Sequence, residues 1–240
     1  MQRYFSSNLK DNKFVLNNDD LYHIKTVMRM GINDLIEVIY NNELYICKLN
    51  NSYEAVIDKK VEVLKKQKPY IILCLPLLTD QKFSFVLQKA TELGIDEIIP
   101  VITERCKVNI KDKEDKKNIR WNKIVKEASE QSKRLDIPKI NEVKKIDDLN
   151  IEGVKIVCST KEKTKSLKNV LQNLEKYDRM VIMVGPEGGL SSFEEDKLIS
   201  LGFVPVTLGD NIMRVETVPI FMLSVLNYEI MEWFLWIKWL

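Results

Sequence analysis

Histidine is almost absent from this chain of 240 residues, and that scarcity narrows the chemistry the chain can perform. A Ser-His-Asp triad or a histidine-rich metal centre would have to be built around the single His23. His23 is far along the sequence from the glycine-bearing segments described below, so we interpret it as a structural residue. The chemistry must therefore rely on Arg, Lys, Asp, Glu, hydroxyl and backbone groups or on a bound cofactor, and we expect no metal.

Cysteine is also sparse, and its spacing excludes the usual cysteine motifs. The four cysteines form no CxxC pair and no cluster with histidine. Three of them lie in or beside apolar runs, where a buried and reduced thiol is the usual state. The first residues, MQRYFSSNLK, lack the character of a signal peptide. We therefore expect a reducing, cytoplasmic compartment.

Long hydrophobic runs are missing as well. No apolar run reaches the length that a membrane-spanning helix needs. The sequence IMEWFLWIKWL at the carboxyl terminus is apolar and aromatic, but it is short and contains Glu232 and Lys238. We interpret this tail as a helix end or an oligomer contact, and we disfavour the alternative of a membrane anchor.

Charge is nearly balanced over the whole chain but not locally. The net charge is +2, yet Arg105 to Lys145 contain 14 Lys or Arg and 7 Asp or Glu. This excess has two interpretations. It is either a solvated helix face rich in ion pairs or a surface for an anionic partner such as nucleic acid.

Residues 1–68 are rich in strand-forming sequence. Short runs of β-branched and aromatic residues alternate with Asn-rich turns, which predicts a small barrel or sandwich. One helix is expected before these runs, capped by Asp19 or Asp20. The basic segment Lys65–Lys68, followed by Pro69, is the predicted domain boundary.

Residues 69–240 alternate between strand-like and helix-like segments. Apolar runs of strand length are followed repeatedly by segments with helical spacing. Such alternation predicts an α/β domain with a mostly parallel sheet that is covered by helices on both faces.

Two glycine-bearing junctions carry most of the functional information. They read VGPEGGLSSFEED at Val184–Asp196 and LGDNIMRVETVP at Leu208–Pro219, and each follows a strand-like run. A strand that breaks into glycines before a helix leaves backbone N–H groups facing a cavity. The two junctions can therefore form two walls of one small-ligand site. Taken alone, the first is equally compatible with a tight connection to a helix capped by Ser191 or Ser192.

Neither junction matches a common nucleotide-binding fingerprint. The GxGxxG and GxxxxGK[ST] patterns are absent, which disfavours an NAD site and a P-loop. The second junction places Ile212 and Met213 in a loop, where an apolar pair suits a flat aromatic ring. Arg214 either pairs with Glu216 or Glu187 or holds an anionic or polarised substrate.

The pairing of GPEGG with a downstream LG-x-x-IMR-x-ET resembles the cofactor loops of the SPOUT methyltransferases, a trefoil-knotted class that uses S-adenosylmethionine. The segments Lys89–Arg105, Arg120–Ile140 and Val27–Gly31 make the chain most similar to the bacterial 16S rRNA (uracil-N3)-methyltransferases, over essentially its full length. The resemblance implies a PUA-like RNA-binding β-barrel at 1–68 and an α/β trefoil-knot methyltransferase domain at 69–240. It also implies a homodimer formed through the knot domain, and methylation of N3 of a decoding-region uridine in 16S ribosomal RNA or the small subunit.

The resemblance and the chemistry of the reaction together assign expected roles. We expect Arg214 to stabilise the uridine anion, with Glu216 or solvent as the base. The expected cofactor-binding residues are Gly185, Pro186, Glu187, Gly188, Gly189, Leu208, Gly209, Ile212, Met213 and Thr217. The expected RNA-binding residues, each alternatively an ordinary surface residue, are Arg29, Arg105, Gln131 and Arg134.

The second junction departs from the family pattern at three positions. Asn211 stands where arginine is more usual, Met213 where leucine is, and Val218 where alanine is. Two other functions fit less well. A SPOUT enzyme acting on a tRNA ribose 2′-hydroxyl is disfavoured by the amino-terminal domain and the EASEQSKR segment. A non-catalytic RNA-binding assembly factor is disfavoured by the intact glycines and Arg214.

Overall fold

The structure is a computed structural model that describes residues 1–63, 68–108, 114–174 and 177–237, with side chains described to residue 229. The chain divides into two compact units, Met1–Lys66 with Lys126–Ile137, and Gln67–Val125 with Pro138–Leu240. Most of the predicted boundary segment lies outside the described residues, as do the side chains of the aromatic tail. Both of those interpretations therefore stay predictions.

The first unit is built on a six-stranded sheet. Its strands are β1 (Gln2–Phe5), β2 (Leu9–Lys10), β3 (Lys13–Phe14), β4 (Leu35–Tyr40), β5 (Glu43–Leu49) and β6 (Ala55–Val61). Their order in the sheet is β1-β4-β5-β6-β3-β2, and among these strands only the β1–β4 pairing is parallel. Asn41 and Asn42, with φ angles of 51° and 59°, form the tight turn between β4 and β5. The sheet packs around a core that includes Tyr4, Phe14 and Ile36.

The helix of the first unit, α1 (Asn18–Tyr22), is capped by Asn17, so the prediction of Asp19 or Asp20 as its cap was wrong. The Asn17 side-chain oxygen accepts the Asp20 backbone N–H at 2.8 Å. The Asp20 carboxylate is buried instead, 2.6 Å from the Lys126 Nζ, and is therefore unavailable to the helix start. Burial raises the pKa of Asp20 although Lys126 opposes the shift.

The second unit is a parallel sheet flanked by helices, which confirms the predicted α/β class. Its strands are β7 (Tyr70–Pro76), β8 (Glu97–Ile102), β9 (Lys139–Ile140), β10 (Lys144–Lys145), β11 (Val154–Cys158), β12 (Arg179–Met183) and β13 (Val204–Val206). The strand order is β10-β8-β7-β12-β11-β13, with β9 beside β8, and every pairing is parallel. Among the described residues the other α-helices are α2 (Asp80–Glu92), α3 (Glu114–Gln131), α4 (Leu167–Gln172), α5 (Ser192–Ser200) and α6 (Thr217–Ile237).

Both faces of this sheet are covered, as the sequence predicts. Alternate residues of β7 enter different cores: Ile71 and Leu73 pack with α2 and α6 on one face, and Ile72 packs with α5 on the other. On the first face the rings of Phe83 and Trp121 lie 4.5 Å apart. Side chains that alternate between two apolar layers fix the register of each strand, and with it the position of each strand's carboxyl end.

The cysteines are all free, as expected for reduced thiols. Cys47 and Cys74 are buried, and burial raises the pKa of Cys47, Cys74 and Cys158 to about 12. These thiols therefore stay protonated at neutral pH. Across the described residues, no helix has both the length and the apolar character to span a bilayer.

We predict that Phe83→Ala lowers the free energy of unfolding by about 3–5 kcal/mol, because it removes a large buried ring. Phe83 is 1% exposed and packs against Trp121. Phe193→Ala is the matched control: Phe193 is 73% exposed, so we expect a change of about 0.5 kcal/mol or less. Urea unfolding followed by circular dichroism compares the two, and equal losses would contradict the described packing.

Candidate functional site

The site lies at the carboxyl edge of the parallel sheet in the second unit. The strands that precede the two glycine junctions, β12 and β13, are both hydrogen-bonded to β11, which lies between them. Their carboxyl ends are therefore neighbours, and the segments that follow them surround one cavity of about 570 Å³. This volume is in the usual range for small-ligand sites, about 300–1,000 Å³.

Nearly all of the predicted cofactor-binding residues line the cavity. Of the ten, nine line it and only Thr217 does not; Arg214 also lines it, whereas Glu216 does not. Sequence reasoning missed Lys82, Glu195 and the segment after β11. From that segment the cavity is lined by Ser159, Thr160, Lys161 and Lys163, together with Cys158 at the end of β11.

The GPEGG loop makes a sharp turn that depends on its last glycine. Gly189 has φ +69°, and its N–H donates to the Pro186 carbonyl at 2.8 Å. Gly188 lies against Arg105, because a Cβ there would be 3.3 Å from the Arg105 Cβ. The Arg105 guanidinium also donates to the Gly188 carbonyl at 2.8 Å. Arg105 thus supports the loop.

The helix after the loop starts with a capping box, which resolves the choice between two serines in favour of Ser191. Its hydroxyl accepts the Glu194 N–H at 3.1 Å, and the Glu194 carboxylate accepts the Ser191 N–H at 2.9 Å. The same carboxylate accepts the Glu104 N–H at 2.7 Å. Glu194 is therefore buried with its oxygens satisfied, and it joins the turn after β8 to the start of α5.

The segment after β11 lines the cavity between the two junctions. The Glu195 carboxylate of α5 holds this segment in place. The Ser159 hydroxyl donates to Glu195, and the Lys161 Nζ lies 2.9 Å from the same carboxylate. The signal in the sequence was the strand VKIVCST, whose end carries polar residues. Its position between β12 and β13 depends on the strand order, which the sequence does not reveal.

The second junction presents apolar and cationic side chains to the cavity. Gly209 has φ +119°, which permits the sharp exit from β13. Ile212 lines the cavity and is 83% exposed, so its apolar surface is accessible. The Arg214 carbonyl accepts the Thr217 N–H at 2.9 Å, which fixes its backbone at the start of α6. Within the described part of the chain the Arg214 side chain forms no ion pair, so it does not pair with the acidic residues considered above.

Glu187 and Glu216, the two acidic residues considered as partners of Arg214, contact Lys82 of α2 instead. The Lys82 Nζ donates to Glu187 Oε1 at 2.5 Å and lies 3.6 Å from Glu216 Oε2. The hydrogen bond to Glu187, with the charges of both carboxylates, raises the pKa of Lys82. Glu216 Oε2 is buried and has no hydrogen-bond partner among the described residues.

The predicted RNA-binding residues lie in both units. Arg29 and Gln131 are exposed in the first unit, and Arg29 has φ +52°. Arg134, in the same unit, lies 2.9 Å from Asp136. Arg105 is in the second unit, where it contacts Gly188. Their roles toward RNA stay predictions.

The chemistry of the cavity suits a nucleoside that carries polar groups. Backbone from glycine-bearing loops binds edges of a base or sugar, and Leu208, Ile212 and Met213 offer apolar surface for a ring. Arg214 adds an available cation. Across the described residues, no group of His, Cys, Asp and Glu is placed to hold a metal ion.

Comparison with known proteins gives a consistent result. The family model of the RNA methyltransferase domain matches residues 65–227. A ribosomal RNA small subunit methyltransferase E from Mesomycoplasma hyopneumoniae is 34% identical, covering 93% of this chain and 98% of that protein. One of the same name from Bacillus subtilis is 32% identical, covering 95% and 97%.

Two solved structures are similar over nearly the full length. A ribosomal RNA small subunit methyltransferase E of Neisseria gonorrhoeae, bound to S-adenosylmethionine, superposes with a TM-score of 0.83 at 27% identity, covering 95% of this chain and 97% of that one. A protein of Legionella pneumophila solved with the same cofactor has a TM-score of 0.86 at 26% identity, with the same coverage.

We predict that Gly189→Ala lowers the free energy of unfolding by about 1–2 kcal/mol, because the left-handed backbone disfavours a Cβ. No other atom lies within 4 Å of the added Cβ, so the loss arises from backbone strain alone. Gly189→Asn is the control, since asparagine tolerates this conformation better, and we expect a smaller loss. Chemical denaturation measures both, and an unchanged Gly189→Ala would contradict the turn.

Proposed function

Because this chain belongs to the ribosomal RNA small subunit methyltransferase E family, we propose that it methylates N3 of a specific decoding-region uridine in 16S ribosomal RNA. The membership confirms the family predicted from the two junctions. The chain is an S-adenosylmethionine-dependent methyltransferase. The observation that carries the proposal is the convergence of both predicted loops and Arg214 on one cavity.

The residues present fit this cofactor. The cavity of about 570 Å³ has the size for a nucleoside with an amino-acid arm. Backbone at Gly185, Gly188 and Gly209 is available for the polar edges of the adenosine. Ile212, with its exposed side chain, and Met213 provide apolar contact for the adenine ring. When bound, the cofactor supplies a methyl group already activated on a sulfonium.

The chain's own task is to prepare the uridine nitrogen. N3 must lose its proton as it attacks, and the negative charge spreads onto the neighbouring carbonyl oxygens. A guanidinium beside those oxygens stabilises that charge. Arg214 suits this role because it lines the cavity and forms no ion pair within the described residues.

The proton acceptor is better assigned to solvent than to Glu216. Glu216 does not line the cavity, and its side chain is only 18% exposed. One of its carboxylate oxygens lies 3.6 Å from the Lys82 ammonium, so this carboxylate is directed toward Lys82 and not toward a substrate. We therefore propose that Glu216 acts within the protein and that water removes the proton.

We also propose the finer architecture that the resemblance implies. The six-stranded sheet of residues 1–61 is compatible with a PUA-like RNA-binding barrel, and the parallel sheet with a trefoil knot. The domains would then be 1–68 and 69–240. We further propose a homodimer through the knot domain, a small-subunit partner and a cytoplasmic location, for which the names of the relatives are the support.

RNA contact is proposed for Arg29, Gln131 and Arg134. Arg29 and Gln131 are exposed, and an exposed arginine suits a phosphate. For Arg105 we propose RNA contact in addition to its hydrogen bond to the Gly188 carbonyl. Asn211 stands where the family more often has an arginine, so we propose no phosphate contact at this position.

We predict that the purified chain, given S-adenosylmethionine, forms N3-methyluridine in small ribosomal subunits from a Bacillus subtilis strain that lacks its relative. Nucleoside mass spectrometry identifies the product. Arg214→Ala should slow single-turnover methylation about 100-fold or more, as for loss of one charge-stabilising donor. Arg179→Ala is the control, because Arg179 begins β12 at the opposite edge of the sheet and lies over Tyr70.

Three outcomes would contradict the proposal. A 2′-O-methylated nucleoside in a parallel tRNA reaction would indicate the tRNA activity instead. Absence of any methylated nucleoside in either RNA would favour a non-catalytic assembly factor. N3-methyluridine at an unchanged rate with Arg214→Ala would remove Arg214 from the catalytic role.

A further inference from the structure

We infer that Lys82 is a positioning residue that links the two walls of the cofactor cavity through its contacts with Glu187 and Glu216. Glu187 belongs to the GPEGG loop after β12, and Glu216 immediately precedes α6. The Lys82 ammonium approaches both carboxylates. The inference rests on the proposed function in that the cavity holds S-adenosylmethionine.

Lys82 is placed for this role by its own helix. It lies in the first turn of α2, which follows β7, and β7 is the neighbour of β12 in the sheet. Its side chain lines the cavity and extends to the GPEGG loop. The core position of Phe83, the next residue, fixes the rotation of α2 and so the direction of Lys82.

The distances indicate a shared ammonium rather than a simple pair. The Lys82 Nζ lies 2.5 Å from Glu187 Oε1 and 3.6 Å from Glu216 Oε2. That Glu216 oxygen is buried without a hydrogen-bond partner among the described residues. A buried carboxylate oxygen needs a nearby positive charge, and Lys82 supplies it. Loss of Lys82 would therefore leave Glu187 and Glu216 as two negative charges with no cation between them.

The consequence concerns binding of the cofactor rather than the chemical step. Glu187 is part of the loop whose backbone faces the cavity, so release of Glu187 frees that loop. Glu216 is two residues after Arg214, so repulsion of Glu216 displaces the second wall. A site whose walls are no longer held pays an ordering cost on binding, which weakens affinity.

The test is calorimetric titration of S-adenosylmethionine into the full chain and its variants. Lys82→Met keeps the aliphatic stem and removes the charge, and we expect about five- to tenfold weaker binding, as for two partly exposed ion pairs. Lys82→Arg keeps the charge and should bind within about twofold of the unaltered chain. The matched control is Lys89→Met on the same helix, where Lys89 pairs with Glu92 at 2.8 Å, and its affinity should not change.

A double-mutant cycle separates positioning from direct contact with the cofactor. If Lys82 acts through Glu187, then Glu187→Gln weakens binding in the unaltered chain but adds little to Lys82→Met. Additive losses would mean that Lys82 contacts the cofactor independently, and that result would overturn the inference. Cofactor saturation should restore most of the turnover of Lys82→Met, so the KM for S-adenosylmethionine rises more than kcat falls.

The dependence of cofactor affinity on salt concentration is a second measurement, and a merely structural role of Lys82 would not change it. The ion pairs are partly exposed, so raising NaCl from about 50 mM to 1 M should weaken binding by the unaltered chain more than by Lys82→Met. Unchanged affinity of Lys82→Met for S-adenosylmethionine, or an equal loss of affinity in Lys89→Met, would overturn this inference and leave the proposed function intact. Because the titration contains no RNA, an incorrect RNA substrate leaves it unaffected. Absence of binding by the unaltered chain would instead refute the proposed function together with this inference.

Discussion

The hydrogen bonding of β11 between β12 and β13 is the constraint on which the rest of the site depends. Parallel pairing puts the carboxyl ends of all three strands at one edge, so the segments after them must meet. The register follows from side chains that alternate between two apolar cores. A cavity bounded by both glycine junctions is the direct result. A different neighbour for either strand would separate loops that together line one cavity.

The loops themselves are held by side chains from elsewhere in the second unit. Arg105 and Glu194 connect the turn after β8 to the GPEGG loop and the start of α5. Glu195 holds the segment after β11. Lys82 approaches the acidic residues of both junctions. Arg214 forms no such contact within the described residues, so the one cation that the proposed chemistry requires remains available. The charged side chains that support the loops are thus distinct from Arg214, for which we propose the catalytic role.

Much of the second unit could be predicted from the sequence, because its signals are local. Periodic apolar residues such as Phe83 and Val86 identify α2, and the glycines mark the strand exits. The strand order is not local, so the role of Ser159 and Lys161 was missed. Long-range ion pairs are equally invisible: Lys82 and Glu187 are far apart in sequence, and only the fold brings them together. The cap of α1 was predicted incorrectly, because the sequence does not show that Lys126 engages Asp20.

The most direct test of the central claim is nuclear magnetic resonance of the chain with 15N-labelled glycine, titrated with S-adenosylmethionine. The sequence has eight glycines, and Gly185, Gly188, Gly189 and Gly209 line the cavity. The amide signals of these four should shift and saturate together, because the ligand contacts their backbone. The other four, Gly31, Gly94, Gly153 and Gly202, should change little. Saturable shifts confined to the glycines outside the cavity, or no saturable shift at all, would contradict the assignment of this cavity as the cofactor site.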